Sequence, residues 1–218
     1  MKKFPYQIYC DMDGVLVDFL AGAIKKMNET INDKDHPLSE LAEKVKLEIG
    51  QDFLELGHLT KGDPRCVDCA REYMRPLLED DEKFWTDLPW MPEGKAIWNA
   101  VKDHNPIILT SPMDQNGYTG SIKGKEKWIK RELGLDINSR VIFSHDKYEH
   151  ANEGGEPTIL IDDYDKNIRL FKEHGGITIH HLGNLSSTLD ALEDLKNGHS
   201  HRNSNRRRTQ EEGIGSGK

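Results

Sequence analysis

The sequence predicts an α/β fold: a parallel five-stranded sheet with helices on both faces and a helical subdomain inserted between the first two strands. Three observations predict it. Five runs rich in Ile, Val or Leu, each about five residues long, read as buried strands. Helical patterns separate them, and strands that alternate with helices build a parallel sheet. One gap, residues 19–86, is far too long for a simple crossover.

The first strand is Gln7–Cys10, and it runs straight into Asp11-Met12-Asp13-Gly14. Residues i and i+2 of a strand point to the same side, so its tip presents two carboxylates before the glycine turns the chain. The spacing alone is common here, since Asp33-Lys34-Asp35 and Asp163-Tyr164-Asp165 share it. The pair at 33 and 35 reads as a solvated loop. The pair at 11 and 13 differs by its preceding strand, its glycine and the apolar Val15-Leu16 that follows.

The insertion carries Phe19, Leu20, Ile24, Met27 and Ile31 at helical spacing. Leu38, Leu41, Val45, Phe53 and Leu54 follow, then Tyr73, Met74, Leu77 and Leu78. It leaves the sheet just after Asp13, so it is expected to sit over the carboxylates as a cap that excludes water and selects substrates. The alternative is a peripheral bundle with no part in the site.

The remaining strands are Pro106–Thr110, Arg140–Ser144, Thr158–Asp162 and Gly176–His180. Helices are expected over Glu93–His104, Lys125–Leu133 (stopped by Gly134), Lys166–His174 and Leu185–Lys196. The expected division is residues 1–18 plus 87–196 as a Rossmann-like core, 19–86 as the cap, and 197–218 as a disordered basic tail. That tail is rich in Asn, Gly, Ser, His and Arg, with Arg206-Arg207-Arg208, and has few apolar residues to fold it.

Bulk properties narrow the function. Lys and Arg number 30 against 38 Asp and Glu, so the net charge is -8. That argues against coating nucleic acid, but not against a small anionic substrate that feels only the local field. No apolar run approaches the ~20 residues of a membrane helix, and no apolar segment follows the N-terminal basic pair as in a secretory signal. Three cysteines, an odd and low count, fit a reducing compartment, so a cytoplasmic location is expected. Cys66-Val67-Asp68-Cys69 with His58 could supply three zinc ligands, but a second ligand pair is missing, and ordinary thiols are the preferred reading.

Three further strand ends carry suitable chemistry. The second offers Thr110 and Ser111, whose hydroxyls and neighbouring amides could hold phosphate oxygens. The third is followed by Lys147, which could neutralise phosphate and nucleophile. The fourth ends in Asp162-Asp163, acids that are costly to leave at a buried strand end without a cation. One of them could instead cap the next helix. Ligands of open α/β sheets bind beyond such tips, where carboxylates hold hard divalent cations or attack phosphorus.

The ordered set resembles the haloacid dehalogenase superfamily of phosphotransferases, with a helical cap after the first motif. Within it, Asp11-Met-Asp-Gly-Val-Leu-Val-Asp-Phe19, Phe84-Trp-Thr-Asp-Leu-Pro89, Met91-Pro-Glu-Gly94, Leu109-Thr-Ser-Pro112, Lys125-Glu-Lys-Trp128, His145-Asp-Lys147 and Leu160-Ile-Asp-Asp163 are similar to the 5'(3')-deoxyribonucleotidases. The resemblance spans residues 6 to about 183 and is weakest over 30–75. It implies a Mg2+-dependent phosphomonoesterase acting on (deoxy)nucleoside monophosphates through an aspartyl-phosphate. It assigns Asp11 as nucleophile and Asp13 as general acid and base. It places Mg2+ on Asp11, the Asp13 backbone carbonyl and Asp163, with Asp162 close by. Thr110, Ser111 and Lys147 would bind the phosphoryl group, and Lys125 would add a second cation. Phe19 would lie beside the nucleobase or, equally simply, pack the root of the cap. The same core could serve another phosphoester, such as a nucleic-acid 3'-phosphate or a small metabolite, or survive as a non-catalytic nucleotide-binding module. Whether the chain pairs as a homodimer is left open.

Overall fold

A computed structural model describes residues 4–113, 117 and 119–197. Residues 198–218, where the disordered basic tail is expected, lie outside the described residues. The elements in order are β1 (Ile8–Cys10), α1 (Phe19–Thr30), α2 (Ser39–Ile49), α3 (Asp68–Leu78), α4 (Glu82–Thr86), α5 (Gly94–Val101), β2 (Ile107–Thr110), α6 (Gly120–Leu133), α7 (Ile137–Arg140), β3 (Val141–Phe143), β4 (Asn152–Glu153), β5 (Glu156–Pro157), β6 (Ile159–Asp162), α8 (Asp165–Glu173), β7 (Ile177–His180) and α9 (Leu185–Lys196).

The main sheet is wholly parallel, in the order β3-β2-β1-β6-β7. β1 is therefore central, and the chain passes to β2 on one side and to β6 on the other. Its C-terminal tip is the switch point at which such sheets form a crevice. The strands alternate between two apolar layers, as a period of two requires. Ile8, Cys10, Ile108, Ile159 and Ile161 join α5, α6 and α9 through Ile97, Val101, Trp128, Leu192 and Leu195. Tyr9, Leu109 and Leu160 face the other way, onto Phe171 of α8 and Ala151. Each large apolar side chain buried in this way contributes roughly 1.5–3 kcal/mol.

All five expected strands are present, each shorter by a residue or two, for local reasons. Pro106 has no N–H for the ladder. Arg140 turns its guanidinium onto the Pro106 carbonyl, with Nε at 2.9 Å. The amides of Thr158 and Gly176 go to Ala151 and Phe171 at 3.0 Å each. The expected Glu93–His104 helix ends at Val101 and tightens into a 3-10 turn, Lys102–His104, closed by Asn105 at φ 59°. The β4–β5 hairpin, turned by Gly154-Gly155, was not expected from the sequence.

Between β1 and α5 the chain forms α1 to α4 and one 3-10 turn, Leu56–His58. Asp18 caps α1 by accepting the Ala21 amide at 3.1 Å, and Asp81 caps α4 by accepting that of Phe84 at 2.9 Å. The segment returns to the sheet through α4, which lies against α6 almost backbone to backbone. A Cβ on Gly124 would stand 2.5 Å from the Glu82 carbonyl oxygen. Among the described residues, no helix is long and apolar enough to cross a membrane.

Candidate active site

The sheet's hydrogen bonding extends one residue beyond the strands and aligns their tips. The Asp11 amide donates to the Ile161 carbonyl at 2.9 Å, Ser144 to Thr110 at 3.1 Å, and His181 to Asp162 at 2.9 Å. The chain then turns sharply after Asp13. The amides of Leu16 and Val17 both return to the Met12 carbonyl, at 2.8 and 2.9 Å, and that of Gly14 reaches Val17 at 2.9 Å. Gly14 takes φ +73°, and a Cβ there would run into the carboxylate of Asp163, 2.5 Å from its Cγ. Glycine is thus required both by the backbone and by a neighbouring acid.

Two buried lysines organise the acids. Lys147, in the 3-10 turn after β3, is fully buried and lies 2.7 Å from both Asp11 Oδ1 and Asp162 Oδ2. Burial alone would lower its pKa, but the two carboxylates outweigh this and hold it above the ordinary lysine value. Lys125, on α6, is also fully buried. Its Nζ donates to Asp13 Oδ2 at 2.5 Å, Thr110 Oγ1 at 3.0 Å and the Ser111 carbonyl at 2.8 Å, and it stands 4.9 Å above the Trp85 ring. The Ser111 hydroxyl is turned to the Ser144 carbonyl at 3.0 Å.

The acids at the fourth tip differ. Asp162 is fully buried and saturated: Oδ1 accepts the Tyr164 amide at 2.8 Å, and Oδ2 accepts Lys147 and, at 3.1 Å, Asn167 Nδ2. Asp163 has no hydrogen-bond donor on its carboxylate among the described residues, while its carbonyl lies 3.0 Å from His180 Nε2. Desolvation first, then repulsion from Asp11, Asp162 and Asp13, raises its pKa to about 8, although the residue as a whole stands at the opening. For Asp162, burial and Asp11 raise the pKa to about 6 against the pull of Lys147. Burial also raises that of Asp13, opposed mainly by Lys125.

The oxygens of Asp11, Asp162 and Asp163 come within 4.8 Å of one another, and among the described residues this is the one group of three or more potential metal ligands. The residues fit a hard divalent cation. Four carboxylates face two ammonium groups, and among the described residues Asp163 lacks a donor and Asp13 Oδ1 is buried without a partner. His58, Cys66 and Cys69 do not form such a group. His58 Nδ1 accepts the Glu55 amide at 3.0 Å, Cys66 Sγ lies 3.6 Å from Arg71, and the cysteines are free thiols. The zinc alternative draws no support from this arrangement among the described residues.

The structure brings together Asp11, Asp13, Thr110, Ser111, Lys125, Lys147, Asp162 and Asp163. Phe19 stands one layer back, stacked on Trp85 at 5.2 Å and edge-on to Phe84 at 6.2 Å. Sequence reasoning missed Asn167 and the seat of Lys125 on Trp85. Asn167, in the first turn of the helix after the acid pair, could have been suspected from that position. Nothing in the sequence points Trp85 at Lys125.

No protein-family model matches the chain. The human cytosolic-type 5'(3')-deoxyribonucleotidase is 28% identical over 163 residues, covering 73% of this chain and 71% of that protein. Among solved structures, a hydrolase from Pseudomonas syringae aligns with TM-score 0.42 and 16% identity, over 85% of this chain and 89% of that one. A hydrolase from Streptococcus pneumoniae TIGR4 aligns with TM-score 0.41 and 11% identity, over 89% of this chain and 100% of that one.

Proposed function

We propose that the chain is a hydrolase of the haloacid dehalogenase type, a Mg2+-dependent phosphomonoesterase acting on (deoxy)nucleoside monophosphates. The observation that carries this reading is the convergence of four strand tips on one acid cluster crossed by two buried lysines. The similarity to a deoxyribonucleotidase supports the substrate class.

In this reading Asp11 is the nucleophile. Its Oδ1 is fixed by the Met12 amide and Lys147, both at 2.7 Å, which leaves Oδ2 to attack phosphorus. The P–O bond to the nucleoside breaks as the aspartyl-phosphate bond forms. Asp13 gives its proton to the departing oxygen, and its raised pKa keeps that proton available. In the second step Asp13 takes a proton from water, the water oxygen attacks phosphorus, and the bond to Asp11 breaks to release phosphate. Lys125 holds the Asp13 carboxylate and Thr110 in place, and Lys147 compensates charge on Asp11. Asp11, Asp163 and the Asp13 carbonyl would hold the cation, with Asp162 as the acid that orients Lys147. When bound, Mg2+ supplies positive charge for the phosphoryl oxygens. The helices of residues 19–86 serve as the cap over this site.

The experiment is a phosphate-release screen over deoxyribonucleotides, ribonucleotides and 3'-phosphorylated oligonucleotides with Mg2+. Turnover of nucleoside monophosphates, lost with a chelator and in Asp11→Asn, is expected. Release unaffected by chelation, or an active Asp11→Asn enzyme, would reject the mechanism. Preference for another ester would reject the substrate class alone.

A further inference from the structure

The lysines at the centre of the site are both committed, Lys147 to Asp11 and Asp162 and Lys125 to Asp13, Thr110 and Ser111. A phosphate dianion approaching from solvent therefore meets a mouth dominated by carboxylates. One cation without a carboxylate partner among the described residues lies against Tyr164, the residue that follows the acid pair. Lys61, in the loop after the 3-10 turn of the insertion, places its Nζ 5.8 Å from the centroid of the Tyr164 ring. The acids near it in sequence are taken, since Arg65 pairs with Glu55 at 2.7 Å and Asp63 at 2.9 Å.

Both partners have anchored backbones. Leu59 is buried, the Thr60 amide returns to Leu56 at 3.1 Å, and Gly62 turns the loop at φ +93°. Tyr164 directly follows Asp163, and its amide is held by Asp162 Oδ1 at 2.8 Å, while the residue is 43% exposed. The contact thus joins the inserted helices to the backbone that carries the acid pair. An exposed cation–π contact is weak, so an anion can displace it.

We infer that Lys61 is a specificity-determining residue that draws the phosphate dianion into the site, and that the Tyr164 ring holds its ammonium at the mouth until substrate arrives. On binding, Lys61 exchanges the ring for a phosphoryl oxygen, and the insertion is drawn onto the core. This rests on the phosphomonoesterase reading above. It assigns Lys61 to capture and not to bond breaking, since Asp11 and Asp13 already fill the nucleophile and proton-transfer roles.

The test uses the full chain with Mg2+ and a deoxynucleoside monophosphate, at low and high salt. Lys61→Ala should lower kcat/KM about tenfold through KM, leave kcat within about twofold, and flatten the fall of kcat/KM with salt, because steering is screened by ions. Lys61→Arg should restore most of the loss, since a guanidinium also stacks on an aromatic ring. Tyr164→Ala should act in the same direction, and the double variant should lose less than the two single losses combined. A Lys61→Ala enzyme with wild-type KM and an unchanged salt dependence, or one that loses kcat alone, overturns the assignment. Calorimetric titration with inorganic phosphate in Mg2+ separates this failure from that of the parent reading. Weakened binding in Lys61→Ala upholds the capture role even if no nucleotide is hydrolysed, and equal affinity refutes it. A wild-type chain that binds no phosphate refutes both.

Discussion

Neighbouring acids at the fourth strand tip carry opposite energetic signs. Asp162 is saturated by Lys147, Asn167 and the Tyr164 amide, so removing it strands a buried ammonium between one remaining acid and the protein interior. Asp162→Ala should cost about 3–5 kcal/mol in chemical denaturation. Asp163 has repulsive neighbours and, among the described residues, no donor, so Asp163→Ala should leave the metal-free protein as stable or more stable, while the proposed Mg2+-dependent phosphate release is lost. A large destabilisation in Asp163→Ala would contradict this division. Gly14 belongs to the same argument. Gly14→Ala should cost roughly 1–2 kcal/mol for the left-handed backbone, and it should weaken Mg2+ binding as well, because the new methyl displaces the Asp163 carboxylate. A Mg2+ titration of the thermal midpoint reads both effects.

At the scale of elements, α6 decides how Lys125 reaches Asp13. Its buried face reads Gly120, Ser121, Gly124, Lys125 and Trp128, so small residues let the helix settle onto residues 79–86. The Ser121 amide even donates to the Glu79 carbonyl at 2.9 Å. Gly124→Ala should therefore destabilise by about 1–3 kcal/mol through overpacking against Trp85 and Glu82. It should also reduce activity by shifting Lys125; a variant of wild-type stability would contradict the close approach. The same helix shows what a sequence hides. Apolar periodicity locates Lys125–Leu133, but the first turn is glycine-rich and has low helix propensity, and only packing reveals why glycine is favoured there. Strands were legible because β1, β2 and β6 are apolar on both faces, and the acids were legible because they sit at the ends of those runs. The β4–β5 hairpin was not, since Asn152-Glu153 and Glu156-Pro157 are polar or stiff and bury little. Lys61 and Tyr164 were equally silent, because a contact between residues 103 positions apart leaves no local pattern.

For the whole molecule, the excess of carboxylates at the site couples proton uptake to folding and, in the function proposed above, to metal binding. Asp163 rises from 3.8 to about 8 and Asp162 to about 6, and Asp13 moves the same way. In the unfolded chain these groups lose their protons near 3.8, so between that value and about 8 the folded state binds more protons. Stability of the metal-free protein must then fall as pH rises through that window. His181, depressed below its usual 6.5 by burial, works in the opposite sense but only on the acidic side of that value. Asp81 and Glu132, both lowered, act at more acidic pH still, and Lys147 acts in the alkaline range. From about pH 7 to about pH 8.5, therefore, Asp163 dominates, and the Cys10 and Cys69 thiols, both raised above 9.0 by burial, add to the same fall only toward the upper end. The thermal midpoint of the metal-free chain should drop across this interval, and Asp163→Asn should flatten the drop. If the cluster holds Mg2+ as proposed, it does so deprotonated and in the folded state alone, so the stabilisation should grow with pH, reaching about 2.7 kcal/mol at a hundred times Kd. Midpoints measured at both pH values, with and without Mg2+, test this directly; a metal-free protein that gains stability toward pH 8.5 would show that the acids are not held protonated by burial and by one another.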